Sequence, residues 1–168
     1  MIEIRKALDY EKEKIKEMRL KAYIEHSASI PEEHWKALKK AITSDADGQP
    51  GVEMFVAEVE EKIFGSVALF PARSDAYKGI ADILDYPEIR MLAVDVQARG
   101  KGIGKLLIQK CIEQAKTYDS TCIGLHTADF MKVAMHLYEE MGFVRLPQFD
   151  FEPARDGIIV KAYRFSFA

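Results

Sequence analysis

The stretch Gln97-Ala98-Arg99-Gly100-Lys101-Gly102-Ile103-Gly104-Lys105 decides how the rest of the chain is read. It follows a strand-like run, Glu88-Ile89-Arg90-Met91-Leu92-Ala93-Val94, and opens a helical stripe of Ile103, Leu106, Leu107, Cys111, Ile112 and Ala115. Alternating glycines let a backbone take positive φ and approach a ligand closely. The helix start directs unpaired N–H groups and a partial positive charge toward the loop. Arg99, Lys101 and Lys105 add charge. The pattern predicts an anion cradle, with a pyrophosphate as its guest. A glycine-rich turn closing a tight strand–helix joint is the alternative that needs no ligand. Two other phosphate motifs fail on spacing. A P-loop needs Ser or Thr after Gly-Lys and a glycine five residues earlier, whereas Leu106 follows Lys105 and Arg99 stands at the earlier place. A dinucleotide fingerprint needs GxGxxG on the first strand–helix turn, and here GxGxG comes late in the chain.

Working toward the N-terminus, residues 71–87 form a polar connection made acidic by Asp75, Asp82 and Asp85. Phe55-Val56-Ala57-Glu58-Val59 and Ile63-Phe64-Gly65-Ser66-Val67-Ala68-Leu69 read as a hairpin joined at Glu60-Glu61-Lys62. Trp35, Leu38 and Ile42 line a helix starting near Ser29 and Pro31. Ile15, Met18 and Ala22 predict an amphipathic helix over residues 9–25 with Asp9 as its N-cap. Ile2, Ile4 and Leu8 suggest an opening strand. Toward the C-terminus, a strand is expected over Thr121–Thr127. A helix capped by Asp129 then carries Val133, Ala134, Leu137, Tyr138 and Met141 and stops at Gly142. Strands follow near 143–151 and 158–167. This order describes a mixed α/β domain around one sheet, spanning residues 1–168.

At 168 residues and 48% hydrophobic, the chain can bury a sizeable core. A net charge of -3 gives no general attraction to nucleic acid. Cys111 and Cys122 form no CxxC pair and lie in apolar stretches, so buried free thiols in a reduced, cytoplasmic compartment are expected. Residues 1–7 lack a signal-peptide core, and no run approaches the ~20 apolar residues of a membrane span. No metal-ligand spacing stands out.

Beyond these patterns, Gln97-x-x-Gly100-x-Gly102, which also reads as Arg99-x-x-Gly102-x-Gly104, resembles the CoA-binding signature of the GNAT acetyltransferases. Residues 88–94 resemble their central strand, and Ala134-x-x-Leu137-Tyr138-x-x-x-Gly142-Phe143 their second block. The resemblance implies an α/β fold with a mixed central sheet of about six to seven strands, splayed central strands and about four flanking helices. It implies acetyl-CoA as co-substrate, no metal, and direct transfer to an amine in a ternary complex. The cofactor arm would bond the backbones of Leu92, Ala93 and Val94 as an added strand. The Val94 amide would hold the thioester carbonyl oxygen. Amides of Arg99, Gly100, Lys101, Gly102, Ile103, Gly104 and Lys105 would hold the pyrophosphate, and Ala134 and Tyr138 would line the cofactor.

Two protons have to move. An alkyl ammonium, with a pKa of ~10, must lose one, and the CoA thiolate, whose thiol has a pKa of ~8.5, must gain one. Glu88 is the candidate base, resembling a glutamate at the matching strand position in histone-modifying relatives; otherwise it is a polar residue at the strand's mouth. Tyr138 is the candidate acid; otherwise it is a core aromatic on its helix's apolar face. Met131 departs from the family, which often carries Asn there. His126 ends its strand near the same cleft, as either an acceptor contact or a satisfied histidine. His26, His34 and His136 read as helix-surface residues, and Trp35 as packing. The three loop aspartates either attract a cationic amine or are solvated. No cysteine lies in the transfer motifs, so a covalent acetyl-enzyme is not expected. A non-catalytic acyl-CoA-binding module is the rival reading. The acceptor, a small-molecule or peptide amine, has no readable signature; a homodimer through a late strand or the sheet edge is a possible assembly that no residue pattern argues for.

Overall fold

The computed structural model describes residues 1–74 and 83–167. Among them the strands are β1 (Ile2–Lys6), β2 (Glu53–Val59), β3 (Lys62–Phe70), β4 (Glu88–Val94), β5 (Cys122–Ala128), β6 (Val144–Arg145) and β7 (Val160–Ser166). The α-helices are α1 (Lys12–Tyr23), α2 (Glu32–Ile42), α3 (Ile103–Lys116) and α4 (Lys132–Glu140). The strands form one mixed sheet in the order β1-β2-β3-β4-β5-β7-β6. The chain divides into two compact units: Met1–Leu69 with Met91–Cys111, and Phe70–Arg90 with Ile112–Ala168.

In the first unit, β1 pairs antiparallel with β2, and β2 with β3. Phe55, Val56 and Ala57 on β2 and Val67, Ala68 and Leu69 on β3 are consecutive and fully buried, as expected of strands covered on both faces. The hairpin turns on two residues, Glu60 and Glu61, with φ of 49° and 67°. Both are left-handed, as a tight primed turn requires. Arg19 on α1 is fully buried, donating to the Ile42 carbonyl at 2.7 Å and to Asp47 at 3.2 Å. These bonds tie α1 to the end of α2. Gly65 in β3 clears the way for α3: a Cβ there would lie 2.7 Å from Ile103 Cγ2 and 3.0 Å from Leu107 Cδ1.

In the second unit, β5 and β7 pair antiparallel from Cys122↔Ser166 to Ala128↔Val160. The start of β4 joins β5 in parallel at Glu88↔Gly124 and Ile89↔Leu125. Tyr86 covers Gly124 so closely that a Cβ on that residue would strike its ring. The rings of Tyr138, Phe143 and Tyr163 pack under α4.

Several expectations from sequence are corrected. Asp9 is not the helix cap. It begins a short 3-10 turn, Asp9–Glu11, and the Leu8 N–H is accepted by the Glu11 carboxylate at 2.8 Å. Arg5 holds that carboxylate with bonds of 2.9 and 2.7 Å. Asp129 does not cap α4 either. Its carboxylate accepts the Ile159 N–H at 3.0 Å, and Met131 occupies the cap position. The strand expected over 143–151 shrinks to Val144–Arg145, because Pro147 has no N–H and opens a 3-10 turn, Pro147–Phe149. Pairing resumes only at the Phe151↔Val160 bridge. His34 is buried rather than on the helix surface. Of the two free cysteines, Cys111 is buried but Cys122 is only half-buried.

Replacing Gly65 with Val should force α3 off β3, lowering the unfolding free energy by about 1–3 kcal/mol. Urea unfolding measures this, and an unchanged midpoint would mean that α3 does not depend on that close approach.

Candidate active site

The loop after β4 is built from local bonds of the first unit. The Asp95 N–H donates to the Phe64 carbonyl at 2.8 Å, and the Asp95 carboxylate accepts the Gln97 N–H at 2.9 Å. These fix the short 3-10 turn Val96–Ala98. Gly100 and Gly102 follow with φ of 80° and 79°, and among the described residues, chain neighbours aside, no atom lies within 4 Å of where their side chains would begin. The backbone here is left-handed, exposed and open. α3 then starts at Ile103, with its first bond from the Leu106 N–H to the Gly102 carbonyl at 3.1 Å. The amides of Ile103, Gly104 and Lys105 therefore have no partner within the helix. Lys101 and Lys105 are exposed beside them.

Arg99 behaves differently from the two lysines. Its guanidinium turns to Glu25, reaching both carboxylate oxygens at 2.7 Å, and to the Ala22 carbonyl at 3.1 Å. Its charge is thus balanced within the protein. The Glu25 carboxyl is held below its ordinary range, chiefly by this hydrogen bond. A second anchor joins the same helix to β4: the Tyr23 hydroxyl donates to the Leu92 carbonyl at 2.8 Å. One lone pair of Leu92, a backbone expected to meet the cofactor arm, is therefore already engaged. Ala93 packs against Met18 and Ala22. Met91, buried in the middle of β4, has φ of 57°. A left-handed methionine inside a strand costs on the order of 1–2 kcal/mol and interrupts the regular alternation of its peptide groups.

The second unit holds the residues suited to proton transfer. Glu88 is 4% exposed at the start of β4. Its Oε2 lies 3.2 Å from His126 Nδ1. Its Oε1 is buried without a hydrogen-bond partner among the described residues. The other ring nitrogen of His126, Nε2, lies 3.1 Å from the Phe149 carbonyl, and Phe151 packs edge-on against the ring. Glu88 and His126 are therefore in direct contact. Tyr138 is 5% exposed, with ring centroids 5.9 Å from Phe143 and 6.3 Å from Tyr163. It occupies an aromatic cluster, as its helical spacing predicts. Burial, with the Glu139 hydrogen bond, pushes the Tyr163 phenol up to about 12. Ala134 is half-buried on α4, and Met131 Sδ receives the Thr127 hydroxyl at 3.7 Å. Of the loop aspartates, Asp85 is exposed, while Asp75 and Asp82 lie outside the described residues.

Three contacts escaped the sequence: Tyr23 to Leu92, Glu25 to Arg99, and Phe149 to His126. Each joins residues far apart in the chain through a backbone carbonyl or a polar side chain. No periodicity marks such pairs.

A profile of the acetyltransferase (GNAT) family matches residues 13–143, and the chain belongs to that family. It is 38% identical over 96 residues to N-acetylaspartate synthetase of Xenopus tropicalis, a match covering 56% of this chain and 32% of that protein. The matches span between 31% and 53% of the length of the curated relatives. An acetyltransferase of the GNAT family from Staphylococcus aureus Mu50 superposes over 100% of both chains, with a TM-score of 0.74 and 19% identity. The paiA N-acetyltransferase of Thermoplasma acidophilum, solved in complex with coenzyme A, gives a TM-score of 0.69 at 17% identity, covering 98% of this chain and 99% of its own. At those identities the structures show the shared fold.

The Arg99–Glu25 clasp generates a pH prediction. Because the folded-state Glu25 carboxyl is depressed, its contribution is present above the ordinary value of 4.5 and is lost as pH falls through the depressed value. Both side chains are about 40% exposed, which limits the effect to about 0.2–1 kcal/mol near neutral pH. Urea unfolding of the natural chain and Glu25→Gln should show that gap near neutrality and its closure in acid. A gap that persists in acid would mean that the clasp does not depend on charge.

Proposed function

We propose that this protein transfers an acetyl group from acetyl-CoA to an amine, and that residues 1–168 form one N-acetyltransferase domain. The observation that carries this reading is the exposed left-handed loop at Gly100 and Gly102, set against the start of α3. It offers backbone N–H groups to a pyrophosphate, with Lys101 and Lys105 adjacent and exposed. Membership of the acetyltransferase family supports the same donor.

When bound, acetyl-CoA supplies the acetyl thioester. The amides from Arg99 to Lys105 hold its phosphates, and the peptide groups of Leu92, Ala93 and Val94 hold its arm. The Val94 amide stabilises the charge that grows on the carbonyl oxygen. Glu88 accepts a proton from the ammonium so that the nitrogen lone pair becomes available. Tyr138 gives its phenolic proton to the departing sulfur and regains one from the acylated nitrogen, which sheds its second proton as the amide forms; Ala134 lines the groove beside it. The transfer is direct, since neither free cysteine lies in the transfer motifs. The acceptor is a small-molecule or peptide amine, and the free thiols fit a cytoplasmic setting.

Release of free thiol from acetyl-CoA, measured with a panel of amines, tests the reading. At least one amine should accelerate release. Tyr138→Phe should lower kcat by about 10²-fold while leaving the KM for acetyl-CoA little changed. Tight acetyl-CoA binding with no release for any amine class would contradict the transferase and leave a binding module.

A further inference from the structure

Ala98 and Ile103 are buried, and between them Arg99, Gly100, Lys101 and Gly102 are exposed. This span carries both left-handed glycines of the loop. Glycine has the widest choice of backbone states, so such a span loses much freedom when it closes on an anion. Its backbone is weakly tied at the start: the Arg99 N–H reaches the Val96 carbonyl at 3.5 Å, long for a hydrogen bond. The stronger tie is a side chain. Arg99 Nη1 donates to both Glu25 oxygens at 2.7 Å, and Nη2 to the Ala22 carbonyl at 3.1 Å.

Ala22 lies in the last turn of α1, where helix carbonyls carry partial negative charge. Helix end and carboxylate therefore attract the same guanidinium. That helix end is itself fixed against β4. Ala22 packs on Ala93, and the Tyr23 hydroxyl donates to the Leu92 carbonyl at 2.8 Å. Arg99 extends this fixture to the loop. His26 Nε2 is 3.8 Å from Glu25, beyond hydrogen-bond reach, and burial holds that ring below its ordinary pKa. Arg99 is thus the principal cation on the carboxylate. A guanidinium held by three oxygens of its own protein is committed to them rather than to a ligand. Lys101 and Lys105 are the exposed cations beside the loop.

We propose that Arg99 and Glu25 are positioning residues for the cofactor: their clasp holds the glycine loop in its anion-binding form before acetyl-CoA arrives, and the Arg99 side chain acts through Glu25 rather than by touching the phosphates. This rests on the reading of the loop as the pyrophosphate site of acetyl-CoA. A loop that is competent only part of the time lowers the apparent affinity by that fraction. The clasp is half-exposed, so its loss should weaken binding about three- to tenfold rather than abolish it.

Glu25→Gln combined with Arg99→Gln removes the clasp at constant net charge. Glu25→Asp keeps the charge and shortens the reach of the carboxylate. Calorimetry with CoA gives the dissociation constant. NMR relaxation of the backbone amides in the ligand-free full chain reports how freely Gly100, Lys101 and Gly102 move on the ps–ns timescale. In the double variant the dissociation constant should rise about three- to tenfold and those amides should become more mobile. Glu25→Asp should show both changes to a smaller degree. Weaker binding with amides as rigid as in the natural chain would make Arg99 a direct phosphate ligand, and greater mobility with natural affinity would make the clasp a local tie without a role in binding. Either result, or no change in both measurements, would overturn the proposal. If the natural chain binds neither acetyl-CoA nor CoA, the acetyl-CoA reading itself falls, whatever the amides do, and the proposal falls with it.

Discussion

α3 lies where a side chain at position 65 would have to be. Ile103 Cγ2 and Leu107 Cδ1 come within 2.7 and 3.0 Å of a Cβ built on Gly65, and the Ala93 carbonyl within 3.3 Å. One glycine thus sets how closely β3, β4 and the first turn of α3 approach one another. The loop between β4 and α3 has to close that short distance. It does so with a 3-10 turn held by Asp95 and then with two left-handed glycines. Left-handed backbone, helix start and exposure are the features on which the proposed phosphate cradle rests, and each depends on the seating of the helix.

The polar groups of each unit divide by what balances them. Arg99, beside the loop, is neutralised by Glu25 and works as a strut. Lys101 and Lys105 stay exposed beside the loop. In the second unit, the buried Glu88 has one oxygen against His126 and the other without a partner among the described residues. A buried oxygen left in that way calls for an explanation, and the proposed role as base would supply one. Met91 of β4 is also left-handed, a strained backbone for a methionine inside a strand.

The glycine loop, the hairpin and the helical stripe of α3 were legible because each obeys a short-range rule: alternating glycines, period-two strands and period-3.6 helices. Tyr138 and Glu88 could be singled out because a family motif has fixed spacing. Where the reading went wrong, tertiary bonds had overridden a local preference. Asp9 and Asp129 both suit helix caps. Glu11, steadied by Arg5, bonds the Leu8 N–H in place of Asp9, and the Ile159 N–H claims Asp129. The late strand was shortened by Pro147, a signal present in the sequence but outweighed by the apolar residues around it. The His126–Phe149 contact had no sequence signal, because a backbone carbonyl looks the same under every side chain.

Calorimetric titration of acetyl-CoA into the purified protein tests the cradle most directly, with free CoA and NADH as comparators. The account predicts saturable binding of acetyl-CoA and CoA, little or none of NADH, and at least about tenfold weaker binding in Gly102→Asp, equivalent to about 1.4 kcal/mol. No binding of acetyl-CoA or CoA, or binding that Gly102→Asp leaves unchanged, would contradict it.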